Sequence, residues 1–465
     1  MAKPTNEERA RKLREKIRSN QNGHHDSSAP ADQPSDQPAL IIEPTPWPAP
    51  PHADAFHGLA GDIVRRIDPE TEADPVAVLL QFLVAFGNAV GRNPHCYVGA
   101  SRHFTNLYAC LVGRTAKSRK GTSWAWVRRL FEGADAPWTA DRLMGGLSSG
   151  EGLISAVRDQ RRGRSKDDAD AILDDGVSDK RLLALEEEFA SVLRMASREG
   201  NILSAVMRQG WDTGHLRTLT RANPLRATNA HISILGHITR EELARALSET
   251  DMANGLANRF LWIAARRSKL LPDGGLQLDL SDLIQRLRQR LVWASTVGKM
   301  TRDAVAARLW RDEYPRLTAE RAGALGLVTN RSEAQVLRLS MTYAVLDGQT
   351  TVQEEHLKAA LALWAYCERS CAWVFGEGTG SADADTILVA MKQAGEKGLS
   401  IREVSALFGR HKTAQQIKRA LVSLLDSGVA RPEKTPTAGR PADRWFFVGT
   451  CEQSEQSEQS YPATT

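Results

Sequence analysis

Apolar positions along this chain follow two rhythms. Short apolar runs bounded by polar or glycine-containing stretches occur at residues 106–113 (NLYACLVG), 181–189 (RLLALEEEF), 230–238 (AHISILGHI) and 258–265 (NRFLWIAA), each the length of one buried strand. Between them the apolar spacing is helical. Residues 58–94 carry it, with Pro75 at a helix start and Asn93-Pro94 as its end. It returns in TSWAWVRRLFEG (122–133), AQVLRLSMTYAVLDG (334–348) and EHLKAALALWAYCERSCAWVF (355–375). Strand runs separated by helices predict an α/β core on a parallel sheet.

The flanks break this pattern. Residues 1–55 run from a basic arm into a Pro-, Asp- and Ser-rich stretch that cannot bury enough apolar surface to fold alone, so they are expected to be a disordered tether. The charged segment 160–180 is expected to be a surface insertion. Residues 271–377 predict a helical lid, and GEGTGSADAD a linker into a compact unit at 383–448. The Glu-Gln-Ser repeat of residues 449–465 predicts a disordered tail. No apolar run approaches the ~18 residues of a membrane span, and no apolar stretch follows the basic N-terminus as an export signal would. A soluble, cytoplasmic protein is the expectation. The five cysteines are scattered, with only Cys367 and Cys371 close together, so they are expected to be free thiols. The net charge of +5 is compatible with a polyanionic partner.

Candidate chemistry begins at the first strand run. Gly113-Arg-Thr-Ala-Lys-Ser-Arg-Lys120-Gly121-Thr122 follows a strand and opens a helix, where backbone N–H groups and the helix dipole converge on an anion. Read as a phosphate loop, Gly113, Lys120, Gly121, Thr122 and Ser123 would hold ATP. Lys120 would lie on the β- and γ-phosphates, and Thr122, or its neighbour Ser123, would hold Mg²⁺. The loop is one residue longer than G-x4-G-K-[ST], Ser118 stands where a glycine is usual, and Gly121 intervenes before Thr122. A basic turn between strand and helix is the plain alternative. The second run ends in carboxylates: Glu186 would serve the Mg²⁺ shell, and Glu187 or Glu188 the attacking water. The alternative is the solvated first turn of a helix. His237, at the end of the third run, could sense the γ-phosphate or be an ordinary strand-end histidine. Arg259 could reach a neighbouring subunit's nucleotide as an arginine finger or form a structural salt bridge. Ser148 and Glu151 have capping-box spacing. Trp211 and Asp212 carry no spacing argument.

Residues 383–448 read as helix, short strand, helix, turn, helix and hairpin, the order of a winged helix-turn-helix domain. Its third helix would present Lys412, Gln415, Gln416, Lys418 and Arg419 to a DNA groove, with Arg440 and Arg444 on the wing. Protein contacts are the other use of such a module.

Taken together, WPAPPHADAFHGLAGDIVRRI, LVGRTAKSRKGTSW, GLSSGEGLI, LALEEEFASVLRMASREGN, ISILGHITREEL and NGLANRFLWIAARRSKLLP resemble a bacterial family of RecA-like P-loop proteins associated with bifunctional DNA primase/polymerase modules of mobile elements. The resemblance covers residues 45–375. It implies a RecA-like P-loop NTPase core at residues 56–270 and a replicative-helicase-like or initiator ATPase using ATP and Mg²⁺. Lys120, Thr122, Glu186, His237 and Arg259 stand at the matching motif positions. It further implies a DNA partner, nucleoid association and a separate primase/polymerase. Action of Arg259 in trans would make the working species a homo-oligomeric ring, with a hexamer as the candidate size. A DNA-binding regulator using the nucleotide as a switch is the alternative. A small-molecule kinase, suggested by Lys-Gly-Thr, has no recognisable acceptor site.

Overall fold

A computed structural model of the protein describes residues 46–163, 170–219, 224–321, 323–376, 382–409, 411–426, 429–435 and 442–448. Its centre is a five-stranded sheet built from the four apolar runs and one short strand that carries no apolar run. The strands are β1 (Tyr108–Gly113), β2 (Leu143–Met144), β3 (Arg181–Glu186), β4 (His231–Thr239) and β5 (Phe260–Ala264). Their order is β5-β1-β4-β3-β2, and every pairing is parallel. All six residues of β1 are buried, as the near-continuous apolar composition of a strand covered on both faces requires.

One face is covered by α1 (Gly58–Ile67), α2 (Pro75–Ala89) and α3 (Lys120–Ala134), which share a core with Leu111, Leu183, Leu235 and Ile263 of the sheet. Asp74 caps α2 by accepting from Val76 N, with Pro75 in the first turn where no intrahelical donor is lost. The other face carries α4 (Phe189–Ala196), α5 (Leu203–Asp212) and α6 (Arg240–Ala246), packed on Cys110, Ala184, Ile234 and Trp262. Gly236 lets α4 approach β4, since a Cβ there would lie 2.6 Å from the Phe189 ring.

Residues 271–377 do not form a separate lid. The helices α7 (Ser332–Leu346) and α8 (Glu354–Phe375) bury apolar side chains in the two cores of the sheet. Every residue of α7 except Glu333 is buried, and Tyr366 on α8 donates to the carbonyl of Ala264 at the end of β5. The described part of the expected tether, residues 46–55, is also ordered onto this body. Trp47 packs on Trp373 with ring centroids 4.7 Å apart, and Tyr343 donates to the carbonyl of the fully buried Ala55. The rest of the expected tether and the expected tail at 449–465 lie outside the described residues. The expected insertion contains an antiparallel pair, Arg161–Gly163 with Ala171–Asp174.

The C-terminal unit contains α9 (Ala382–Ala394), β6 (Leu399–Ser400), α10 (Ile401–Leu407), α11 (Ala414–Asp426), β7 (Ala430–Thr435) and β8 (Ala442–Phe447). The three strands form an antiparallel sheet in the order β6-β8-β7 over a core of Ile387, Met391, Val404, Ile417, Leu421, Leu424 and Trp445. Helix α9 begins within the stretch read as linker. Among the described residues no helix is long and apolar enough to cross a membrane.

Candidate functional site

Parallel sheets place ligands at the carboxyl ends of their strands. Here Thr239 of β4 pairs with Gly113 of β1, while Gly236 pairs with both Cys110 of β1 and Glu186 of β3. The tips of β1, β3 and β4 therefore share one edge, with Glu186 two strand spacings, about 10 Å, from β1.

Residues 114–119 join β1 to α3 through a single 3-10 turn at Ala116–Ser118. Arg119 then adopts the left-handed conformation (φ 58°, ψ 27°) that starts α3. A side chain there costs about 1–2 kcal/mol, and its Nε lies 2.6 Å from Glu72 Oε2. The left-handed position is thus held by Arg119, whereas Ser118 is buried and donates to the carbonyl of Thr115. The loop folds back over Gly113: a Cβ there would lie 2.3 Å from Ser118 Oγ and 2.9 Å from Lys120 Nζ. Lys120 is 9% exposed and forms no hydrogen bond or ion pair among the described residues. Burial lowers its pKa, with Cys110 and Glu242 partly offsetting that. An unpaired, largely buried ammonium at the N-terminus of a 15-residue helix is an arrangement that an anion would neutralise.

The two hydroxyls after Lys120 diverge. Thr122 is exposed in the first turn. Ser123 is fully buried, donating to Lys120 O and accepting from Gln81 Nε2, both at 2.6 Å. That removes Ser123 from the candidate ligands. Gln81 spends its amide N–H groups on Ser123 and Ala77 O, so its Oε1 accepts from His237 Nε2 at 2.9 Å. His237 faces α2, and burial together with nearby Lys120 pushes its pKa down to about 3. It is linked to the loop helix through Gln81 and Ser123.

Two residues further along β4, Thr239 and Glu242 form a reciprocal cap on α6. Glu242 accepts from Thr239 N and Oγ1 at 3.1 and 2.8 Å. Those bonds, with a smaller contribution from Lys120, lower its pKa. The signal in ITREEL was the Thr-x-x-Glu spacing. The same spacing read at Ser148 and Glu151 falls one residue off, because Ser149 caps the helix Gly150–Ser155 by accepting from Gly152 N.

Glu186 is 8% exposed at the tip of β3 and accepts from Leu147 N at 2.7 Å. Burial raises its pKa against the opposing backbone bonds from Leu147 and Gly146. Glu187 and Glu188 are exposed in the turn that follows. The strand-tip reading thus describes Glu186, and the solvated-turn reading its two neighbours.

Arg259 stands at the start of β5, the opposite end of the sheet from Gly113. Its guanidinium is buried, pairs with Asp212 at 2.7 and 3.2 Å, and donates to Gly255 O. The structural salt bridge is the observed arrangement, and a guanidinium so held cannot reach across to another subunit. Near the loop after Gly113 the cations are instead Arg114, Arg240 and Arg266, with the aromatic rings of Trp47 and Trp373. Arg114 and Arg266 lie 5.7 and 5.0 Å from the Trp47 ring centre, and Arg240 lies 5.1 Å from that of Trp373. None of the three forms an ion pair among the described residues. This shelf was missed in the sequence because Trp47 sits in a proline-rich stretch.

In the C-terminal unit, Gln415, Lys418 and Arg419 are exposed on α11. Lys412 pairs with Asp383 at 3.0 Å, and Gln416 accepts from Thr413 N and Oγ1 as a helix cap. Arg444 turns back to Glu403 at 3.0 Å, and Arg440 lies outside the described residues. Three of the seven expected DNA readers are therefore both described and free to face a ligand.

His57, Asp347 and His356 group their ring nitrogens and carboxylate closely enough to suggest a cation site. His356 Nδ1 accepts from Gln353 N, which leaves the proton on Nε2, and that group donates to Asp347 at 3.2 Å. His57 Nε2 lies 2.6 Å from the same oxygen, a hydrogen bond and not a pair of metal ligands. Cys96, Cys110, Cys367 and Cys371 are buried free thiols, and Cys451 lies outside the described residues.

Comparison of the chain with protein-family models and with curated proteins returns no match.

Proposed function

We propose that the protein is a RecA-like P-loop ATPase that works on DNA, with the C-terminal unit acting as a winged-helix DNA reader. The observation that carries the reading is Lys120: a desolvated, unpaired ammonium folded over Gly113 at the start of α3, on the sheet edge that also holds Glu186. The strand order supports it, because insertion of β4 between the phosphate-loop strand and the carboxylate strand is the arrangement of RecA-like ATPases. In this reading Lys120 and the α3 N-terminus bind the β- and γ-phosphates of ATP. Thr122 and Glu186 hold Mg²⁺, directly or through water, and the ion would neutralise phosphate charge as it develops. Glu187 and Glu188 are the carboxylates free to orient water.

The test is ATP binding and turnover, with and without single-stranded and duplex DNA. Lys120→Ala is expected to abolish nucleotide binding. Glu186→Gln is expected to retain binding and lose turnover by about 100-fold or more. Lys418→Ala and Arg419→Ala should each weaken duplex binding and reduce its salt dependence by about one unit of slope. A wild-type protein that binds no nucleotide would overturn the ATPase reading, and nucleotide binding without any turnover would favour the regulatory switch.

A further inference from the structure

A cavity lies at the opposite end of the sheet from Lys120. It encloses about 560 Å³, within the usual range for a small-molecule site. Its walls come from the hairpin before β1, the end of α5 and the start of α7. Four guanidiniums line it: Arg92, Arg102, Arg331 and Arg338. The only acidic wall residue is Asp212, whose carboxylate is already engaged by Arg259.

These guanidiniums are hydrogen-bonded but not neutralised. Arg338, 1% exposed, donates to Asn106 O, Asn106 Oδ1 and Trp211 O, all uncharged acceptors, while its Nε has no partner. It stacks on the Trp211 ring, 3.5 Å from the ring centre, with Arg331 at 5.4 Å from the same ring. Arg92 donates to Ala230 O and Thr213 O and lies 3.6 Å over Phe104. Arg102 at the rim bonds Tyr97 Oη. Among the described residues, Arg92, Arg102 and Arg338 have no ion-pair partner, and Arg331 reaches Asp212 only at 3.8 Å. Two further polar atoms, the Trp211 Nε1 donor and His103 Nδ1, are buried without partners. Desolvation pulls Arg338 down to about 9 and Arg92 to about 10, and the arginines depress one another.

Stability alone does not explain this set. A structural arginine gains most from a carboxylate partner, and like charges gathered in a concave, desolvated wall repel. An oxyanion would neutralise the cluster and take up the unpartnered donors, and the planar guanidinium fork matches phosphate oxygens. The aromatic faces of Trp211 and Phe104 are already covered by arginine, so the walls recognise charge and not a stacked base.

We propose that this cavity is a second anion site, separate from the Lys120 loop, that binds a phosphate monoester. A free nucleoside monophosphate and the 5′-phosphate of a nucleic-acid strand carry the same group, and the experiment separates these sources. Inorganic phosphate, adenosine monophosphate, and a short oligonucleotide with and without its 5′-phosphate are titrated into the full chain by calorimetry at constant ionic strength. Wild type, Lys120→Ala, Arg102→Ala and Arg331→Gln are compared. Phosphate binding is expected to persist in Lys120→Ala and to weaken about tenfold in each arginine variant, the effect of one charge-assisted bond. Arg102 sits exposed on the rim, so its variant is expected to keep the wild-type melting temperature. Preference for the monophosphate, or for the phosphorylated over the plain oligonucleotide, identifies the source, and either supports the site. The proposal falls if phosphate binds no better than chloride, or if binding disappears in Lys120→Ala and is unchanged in Arg102→Ala.

Discussion

Replacing Gln81 by leucine tests the link between β4 and the phosphate-loop helix. Gln81 is fully buried and bridges Ser123 on α3 and His237 on β4. Leucine has nearly the same volume but neither donates nor accepts. His237, 3% exposed, would have its Nε2–H stranded, at a cost of about 1–3 kcal/mol. Ser123 keeps its donation to Lys120 O and loses only an accepted bond, about 0.5–1.5 kcal/mol. The added apolar burial returns about 1 kcal/mol, leaving a net loss of about 2 kcal/mol. Adding His237→Leu removes the stranded donor, so the double variant should recover about 1 kcal/mol relative to additivity. Urea denaturation of the wild type, both single variants and the double variant supplies the cycle. On turnover, the three variants should fall together, because each breaks the same chain of contacts to Ser123. Strictly additive stabilities would refute the bridge. A His237 variant whose turnover falls far below that of the Gln81 variant would refute the indirect role and return His237 to the phosphate.

Two further outcomes follow from buried charge. Arg259→Ala should destabilise the fold by about 2–4 kcal/mol, somewhat below the loss for a wholly buried pair because Asp212 is 35% exposed and keeps Arg331 nearby; a variant with wild-type denaturation but no turnover would instead favour action in trans. Stability should also fall between pH 7.5 and pH 5.5. His231 and His237 are held near pKa 3 by burial, so through this window the unfolded chain takes up protons that the folded chain refuses. The pair accounts for about 2–3 kcal/mol. Asp74 and Glu186, whose pKa values burial raises, act with the opposite sign. Unchanged or higher stability at pH 5.5 in equilibrium denaturation would contradict the burial of these rings.

The sheet was legible because its strands are covered on both faces, which writes them as near-continuous apolar runs. All four such runs became strands within a few residues of their expected bounds. Strand β2 was invisible: two residues at a sheet edge carry no run to detect. The expected boundary at 270 failed because amphipathic spacing reports that a helix has a buried face, not which element covers it. At the candidate site, spacing singled out Lys120, Thr122 and Glu186 as candidates but could not orient Ser123 or His237, whose hydrogen bonds depend on Gln81 from a helix far away in sequence. Arg259 shows the same limit from the other side. Its motif position says nothing about Asp212, 47 residues earlier, which fixes it at the end of the sheet opposite the Lys120 loop.

The net charge of +5 conceals a sorted distribution. Many acids on the described surface are engaged locally: Asp159 with Lys180, Asp174 with Arg158, Asp179 with Arg181, Glu368 with Arg316 and Arg321. Such exposed pairs contribute little to stability individually, yet each neutralises a cation where it stands. Cations without a close ion-pair partner also gather at the two ends of β1. Lys120, Arg114, Arg240 and Arg266 gather at its carboxyl end, while Arg92, Arg102, Arg331 and Arg338 gather at its amino end. Along a strand these ends are separated by roughly 20 Å, about two Debye lengths at physiological ionic strength, so one bound anion cannot neutralise both. The charge distribution therefore asks for two anions, and the loss of either alone should leave the other's binding intact.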